Sequence, residues 1–80
     1  MMSRLIVTVR QVLQITSTGQ MIRIVFLDDE GDENGHILEF ENDRIELVKP
    51  EVKKILSNIV FWISSTTDDY LRIEVYENER

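Results

Sequence analysis

The first part of the chain alternates apolar and polar residues with the two-residue period of β-strands. Over residues 5–15 the odd positions are apolar apart from Gln11, and the even positions are mostly polar. This alternation predicts one long, half-buried strand that bends near Gln11. A second strand is predicted over residues 21–27, where both faces are apolar except at Arg23, as is typical of a central strand. A polar turn containing Gly19, which adopts positive φ without steric cost, predicts that the two strands form an antiparallel hairpin.

The next segments are predicted from turn residues and from a return of the alternation. Residues 28–35 contain no apolar residue and end in Asn34-Gly35, the dipeptide most typical of tight β-turns, so they are predicted as a loop. A third strand is predicted over residues 36–41 and a final strand over residues 70–76. Residues 42–49 fit either a short edge strand or an extended lead-in.

Pro50 begins a segment whose apolar residues recur at helical spacing. This spacing predicts a helix over residues 50–63, with Pro50 at its first position and Glu51 favoured by the helix dipole. Residues 59–63 also have high strand propensity. The pattern therefore leaves open a shorter helix followed by a strand, with residues 64–69 as the hairpin loop before the final strand.

These elements occur in the order β-β-β-α-β and predict a small α+β domain. Its sheet is expected to be mostly antiparallel, with the helix of residues 50–63 packed on one face. The 80 residues correspond to a single domain, 1–80. The lack of cysteine excludes disulfides and thiolate metal sites. There is no apolar run of about 18 residues and no secretory signal pattern, so we expect a cytoplasmic protein with no membrane contact.

Charge is distributed unevenly along the chain. Residues 28–46, here called the acidic segment, contain nine of the fifteen acidic residues and only Arg44 in opposition, which gives a net charge of −8. Residues 1–27 carry +3 and residues 47–80 carry −1, which accounts for the total of −6. We predict that this segment docks a basic protein partner, since complementary charge favours fast and specific encounter. The predicted docking residues are Asp28, Asp29, Glu30, Asp32, Glu33, Glu39 and Glu41. The same balance argues against nucleic acid as a partner, because phosphate binding needs clustered Lys and Arg.

Part of the acidic segment resembles the calcium-binding loop of EF-hand proteins. The resemblance lies in Glu30-x-Asp32-x-Asn34-Gly35-x-Ile37-x-x-x-Glu41, and it implies a ligand set of Glu30, Asp32, Asn34 and Glu41. The sequence departs from the family because Glu replaces Asp at the first ligand position and a strand-like segment precedes the loop. We therefore predict a solvated hairpin loop with no metal and no cofactor, and we keep a weak divalent-cation site at these four residues as an alternative.

The aromatic residues of the second half predict an interface. A helix that continues to Ile63 would be apolar on all sides over residues 59–63, while the sheet covers only one side. Phe61 or Trp62 would then face another molecule. We predict a homodimer formed by the helix end or by an edge strand. The candidate interface residues are Phe61, Trp62, Tyr70 and Tyr76.

Motifs for catalysis are missing from the sequence. The only histidine, His36, lies beside a predicted turn, and there is neither a cysteine nucleophile nor a Gly-x-Ser-x-Gly motif. Glu39 and Glu41 share a strand face, but a domain with one helix leaves little room for a deep pocket. We therefore predict no enzyme but a small, self-associating protein-interaction module that docks a basic partner through the acidic segment. The alternatives are an inhibitor that mimics nucleic acid, with carboxylates in place of phosphates, and a weak divalent-cation-binding domain.

Overall fold

The computed structural model describes residues 6–76, except for the Asn34 side chain, and it confirms the α+β class. Three short helices and four strands follow one another as α1 (Val9–Gln14), β1 (Met21–Leu27), β2 (Glu33–Glu41), α2 (Arg44–Leu47), α3 (Pro50–Lys53), β3 (Val60–Ser65) and β4 (Tyr70–Tyr76). The strands form one sheet in the order β2-β1-β4-β3. β1 is antiparallel to β2 and parallel to β4, and β3 is antiparallel to β4, so the sheet is mostly antiparallel as predicted.

The predicted strands at residues 21–27 and 70–76 are confirmed with the same bounds. β1 also occupies the predicted central position, because it pairs with β2 on one side and with β4 on the other. Its side chains are buried on both faces: Ile22 and Ile24 face the helices, and Val25 faces away from them yet is only 2 % exposed. The apolar residues on both faces of β1 thus correctly predicted that it is a central strand.

The β1–β2 hairpin turns earlier than predicted, so that the third strand begins at Glu33 and not at residue 36. The loop of residues 28–32 is closed by Asp28, whose N–H donates to the carbonyl oxygen of Asp32 at 2.8 Å. Gly31 lies in this turn with φ of +84°. Gly35 has φ of +89° and lies inside β2, near the point where the strand register shifts. The Asn34-Gly35 dipeptide therefore marks an irregularity of the strand, not the hairpin turn.

The predicted N-terminal strand over residues 5–15 and its hairpin with β1 are wrong, because residues 9–14 form α1. The Thr8 hydroxyl accepts a hydrogen bond from the Gln11 N–H, and Gln11 Oε1 accepts one from the Thr8 N–H at 2.9 Å. This reciprocal capping box starts a helix. The buried residues Val9, Val12 and Leu13 have the spacing of one helix face as well as part of a strand alternation. Residue 5 of the predicted strand lies outside the described residues.

The predicted helix over residues 50–63 is also wrong beyond its first turn, and the alternative of a short helix followed by a strand is confirmed. α3 ends at Lys53, and β3 forms an antiparallel hairpin with β4. Asn58 lies between the two elements and is buried. Its side chain donates to the carbonyl oxygen of Tyr76 at 3.1 Å. The branched and aromatic residues that follow fit a sheet edge, where alternate side chains point to opposite faces. In the ambiguous segment of residues 42–49, the chain forms α2.

The hydrophobic core lies between the helices and one face of the sheet. Twelve buried residues form it: Val9, Val12, Leu13, Ile22, Ile24, Phe26, Phe40, Val52, Ile55, Leu56, Ile73 and Val75. The other face, here called the open face, has no helix over it in the described part of the chain. Its residues follow from the strand register and are Met21, Arg23, Val25, Leu27, Glu33, Ile37, Glu39, Glu41, Trp62, Ser64, Tyr70, Arg72, Glu74 and Tyr76. No helix among residues 6–76 is long and apolar enough to cross a membrane.

Candidate interaction surfaces

The acidic segment divides into residues that hold the fold and residues that face solvent. Asp28 Oδ1 accepts hydrogen bonds from the backbone N–H groups of Glu30 and Asp32 at 2.9 and 3.0 Å. Asp43 caps α2 by accepting from the Glu46 N–H at 2.9 Å. These two carboxylates therefore order their own turns, which is the usual role of Asp at caps and turns.

Three further acids of this segment form ion pairs with basic residues that are distant in sequence or one helical turn away. Glu39 pairs with Arg23 at 2.6 Å, and Glu33 pairs with Arg72. In addition, Glu46 accepts from Lys49 at 3.0 Å. The Arg23–Glu39 and Arg72–Glu33 pairs both lie on the open face, and each joins two different strands. Three of the nine acids of the acidic segment therefore form ion pairs with basic residues.

The remaining charge is concentrated in the loop of residues 28–32, here called the acidic loop. Asp29, Glu30 and Asp32 are exposed and form no ion pair with any residue in the range 6–76. Glu41 is exposed at the opposite end of β2 and likewise has no ion pair there. Three of the predicted docking residues, Asp29, Glu30 and Asp32, thus lie together on a turn that Asp28 orders, and Glu41 lies apart from them.

The ligand set implied by the EF-hand resemblance is not brought together. Glu30 and Asp32 lie before β2, whereas Glu41 is its last residue. A strand rises about 3.3 Å per residue, which places Glu41 roughly 26 Å along the strand from Glu33. Within residues 6–76 no group of three His, Asp or Glu side chains is arranged to hold a metal ion. His36, the only histidine, stacks on Phe26 with ring centroids 4.7 Å apart.

Two arginines lie side by side on the open face, where Arg23 of β1 is in register with Arg72 of β4. Arg23 pairs with Asp68 at 2.9 Å in addition to Glu39, and its guanidinium lies 4.2 Å from the centre of the Tyr70 ring. Hydrogen bonds to Glu39 and Asp68 raise the pKa of Arg23 above its ordinary value. A hydrogen bond from Thr66 and a second one from Arg23 lower the pKa of Asp68.

Arg72 lies between Glu33 and Glu74, with the second oxygen at 3.3 Å. Each arginine of the open face thus pairs with two carboxylates, Arg23 with Glu39 and Asp68, and Arg72 with Glu33 and Glu74. Such an arrangement satisfies both arginines within the sheet. It leaves neither of them as a free cation for a phosphate or another anion.

β3 is an edge strand with three consecutive exposed apolar side chains. Phe61, Trp62 and Ile63 are 50 %, 60 % and 43 % exposed. The strand register shifts at Phe61, and its ring meets that of Tyr76 edge to face at 5.4 Å. We call the four residues Phe61, Trp62, Ile63 and Tyr76 the aromatic edge. Of the predicted interface residues, Tyr70 does not belong to it, because it lies at the other end of β4 beneath Arg23.

Residues 7 and 8 cover the beginning of the outer side of β3. The Val60 N–H donates to the carbonyl oxygen of Val7 at 2.8 Å, and Thr8 forms an antiparallel bridge with Ile59. Beyond Val60 no strand of residues 6–76 pairs with this side. A groove of about 350 Å³ runs there and is bounded by Val7, Val60, Phe61, Trp62 and Ile63. The aromatic edge therefore combines apolar side chains with a strand backbone that no strand of the described residues covers beyond Val60.

A second groove, of about 400 Å³, lies on the helical side of the molecule. One wall is α1 and the other is formed by α2, α3 and the turn after α3. Its lining residues, which define the helical groove, are Arg10, Leu13, Gln14, Leu47, Val48, Lys53 and Leu56. The sequence analysis missed this groove because it placed residues 9–14 in a strand. The Thr8-x-x-Gln11 capping box is the signal that predicts α1 and hence one wall of the groove.

Comparison of the chain with family models, with curated proteins and with solved structures gives no match.

Proposed function

We propose that this protein is a protein-interaction module that self-associates through the aromatic edge and presents the acidic loop to a basic partner. The observation that carries the proposal is the composition of β3. It is an edge strand without charge that exposes three consecutive large apolar side chains.

An uncharged edge is unusual in this protein. The 13 residues from Ile55 to Thr67 contain no charged residue, although 30 % of the whole chain is charged. Proteins normally protect edge strands with charged residues, because the unpaired N–H and C=O groups otherwise pair with another strand. The absence of such protection, combined with exposed aromatic rings, supports pairing with a further strand by β-augmentation.

A second copy of the same chain suits this edge on electrostatic grounds. Antiparallel pairing of β3 with its copy would give an eight-stranded sheet in the order β2-β1-β4-β3-β3-β4-β1-β2. The two β2 strands would then lie about 34 Å apart, since neighbouring strands are about 4.8 Å apart. This separation is several times the Debye length of about 8 Å at physiological salt. The three glutamates of β2 therefore do not oppose this dimer.

The acidic loop is suited to a basic partner because its charges are both exposed and ordered. The Asp28 side chain and the backbone hydrogen bonds of the turn fix the positions of the neighbouring residues. Asp29, Glu30 and Asp32 then extend from this turn without an ion pair in the described range. Fixed charges of this kind raise the rate and the specificity of encounter more than the final affinity.

Self-association is tested by size-exclusion chromatography with light scattering over a wide concentration range. We expect the wild type to reach twice the chain mass of 9.4 kDa and the Ile63→Lys variant to remain at the mass of one chain. The matched control is Ile15→Lys, which also places a lysine at an exposed isoleucine but lies beside α1 and not on the edge. We expect the control to dimerise like the wild type.

A wild type that stays monomeric at millimolar concentration would overturn the self-association. If it is monomeric but a variant lacking residues 1–5 dimerises, the N-terminal residues occupy the edge and the second copy does not. Circular dichroism of each variant checks that the fold is retained. Loss of the dimer in the Ile15→Lys control would instead mean that another surface forms the contact.

A further inference from the structure

The helical groove differs in charge from the rest of the molecule. Its apolar floor includes Leu13 and Leu56, both buried, together with half-buried Leu47. Each wall contributes one basic residue, Arg10 from α1 and Lys53 from α3. Both side chains are exposed, and neither forms an ion pair with a residue in the described range. The groove is thus apolar at its base and positively charged on both sides.

A neighbouring groove shows that this charge pattern is not a general property of the helical side. It has a volume of about 350 Å³ and is lined by one carboxylate and one ammonium group, those of Glu51 and Lys54, together with His36. Its charges therefore compensate one another, whereas those of the helical groove have the same sign. In a chain with a net charge of −6, two uncompensated cations that flank one apolar groove attract a ligand of opposite charge.

We infer that the helical groove binds a short amphipathic helix of a partner protein, whose apolar stripe is flanked by carboxylates. The apolar stripe would lie on the leucine floor, and carboxylates on its two sides would meet Arg10 and Lys53. A helix suits the groove because the groove lies between helical walls and has an apolar base, which is the arrangement used in helix-in-groove recognition.

This surface is separate from those of the proposed function. The helical groove is on the helical side of the sheet, the aromatic edge is formed by β3 and the end of β4, and the acidic loop joins β1 to β2. Its partner also has the opposite charge from the one expected at the acidic loop. The inference therefore stands or fails independently of self-association.

The inference is tested with a synthetic helical peptide that has leucine at positions i, i+3, i+4 and i+7 and glutamate on both sides of this stripe. A control peptide has lysine in place of each glutamate. We expect the acidic peptide to bind the wild type by calorimetry and to shift the amide signals of residues 10–14 and 47–56. The Arg10→Glu/Lys53→Glu variant should bind it at least about tenfold more weakly, since two attractions become repulsions.

The charge-reversed variant also provides a positive test, because it should bind the lysine peptide better than the wild type does. The matched control is Lys54→Glu, which changes a lysine of the neighbouring groove and should leave binding of the acidic peptide unchanged. The inference is overturned if the two peptides bind the wild type equally, if neither binds, or if the shifts lie outside the groove. Stronger binding of decanoate than of the acidic peptide would also overturn it and assign the groove to a small amphiphile.

Discussion

The two edge strands of the sheet have opposite chemical character. β2 has nine residues, three of which are glutamates whose side chains point to the open face, and its register shifts near Gly35. β3 has six residues, none of them charged, and exposes three apolar side chains. Both strands lack a neighbour on one side among residues 6–76. The comparison predicts that charge on the strand, and not edge position alone, decides whether a copy can approach an edge.

The largest effect is expected when two of the three glutamates of β2 are replaced. In the Glu39→Val/Glu41→Val variant, a copy of β2 would no longer meet like charges at close range across the strand pair. Both edges of the sheet would then accept another strand, so we expect assemblies larger than a dimer that grow with concentration. Sedimentation velocity measures them.

The control for this experiment is Asp29→Asn/Glu30→Gln, which removes the same number of charges from the acidic loop but leaves β2 unchanged. We expect this control to form no species beyond those of the wild type. If the β2 variant behaves in the same way, charge on the strand is not what protects this edge, and the comparison between β2 and β3 fails.

The next largest effect is expected on stability, when the Asn42 side chain that follows β2 is replaced. Buried Asn42 is only 5 % exposed, and its Nδ2 group lies within 3.1–3.3 Å of the carbonyl oxygens of Leu13, Thr16 and Ser17. The Asn42→Ala variant removes the side-chain donor of the Thr16 oxygen, while the Leu13 and Ser17 oxygens keep the N–H groups of Thr16 and Gln20. We expect it to lower the free energy of unfolding by about 1–3 kcal/mol. Urea unfolding measures this change.

Asn42→Asp sharpens the same test, because it keeps the size of the side chain but places a carboxylate against carbonyl oxygens. It should destabilise the protein at pH 7 at least as much as Asn42→Ala does. Equal stability of wild type and Asn42→Ala would mean that the β2 end is held by backbone contacts alone, such as the Asn42 N–H donation to Gln20 at 2.9 Å.

A smaller effect is expected at the covered beginning of β3. Thr8 caps α1 and also bridges to Ile59, so Thr8→Ala should lower the free energy of unfolding by about 1 kcal/mol. Hydrogen exchange should become faster at the Val60 amide, which donates to Val7, than in the wild type. Thr8→Ser keeps the capping oxygen and should behave like the wild type. An unchanged Val60 exchange rate in Thr8→Ala would show that this contact does not depend on the cap.

The smallest effect is expected at the β3–β4 hairpin loop. Because hydrogen bonds lower the pKa of Asp68 in the folded protein, its ionised form stabilises the fold. This contribution is present above the ordinary pKa of aspartate, about 3.9, and is lost as the pH falls through the lower folded value. We therefore expect Asp68→Asn to be less stable than the wild type at pH 7 and the difference to shrink below about pH 4. Urea unfolding at several pH values measures this, with Asp69→Asn as the neighbouring control. A difference that does not change with pH would contradict the assignment.

The sequence predicted β1 and β4 correctly because their apolar patterns have one interpretation. The two wrong predictions occurred where a pattern fits two periods. Val9, Val12 and Leu13 fit the face of a helix, while Val9 and Leu13 also fit a strand alternation, and only the capping box separates the two. Ile59 and Ile63 fit the helical period that begins at Pro50, but the intervening bulky residues are better accommodated at a sheet edge.

The candidate surfaces were predicted less well than the strands, because they are formed by residues that are far apart in the sequence. Counting acids along the sequence could not show that Glu33 meets Arg72 or that Glu39 meets Arg23, because these pairs depend on the order of strands in the sheet. Exposure of Phe61 and Trp62 was predicted, although from a helix that does not form. The helical groove needs α1 and α3 together, and only one of them was predicted.

The parallel pairing of β1 with β4 has a consequence for how the chain reaches its fold. Each of the two hairpins, β1–β2 and β3–β4, forms between neighbours in sequence, whereas the seam between them joins residues as far apart as Met21 and Tyr70. We expect such distant contacts to form late, because the entropy cost of closing a long loop precedes the stabilisation that the contacts provide. Chain cleavage between α3 and β3 would therefore leave two hairpin-containing fragments, and we expect them to reassociate along this seam when mixed.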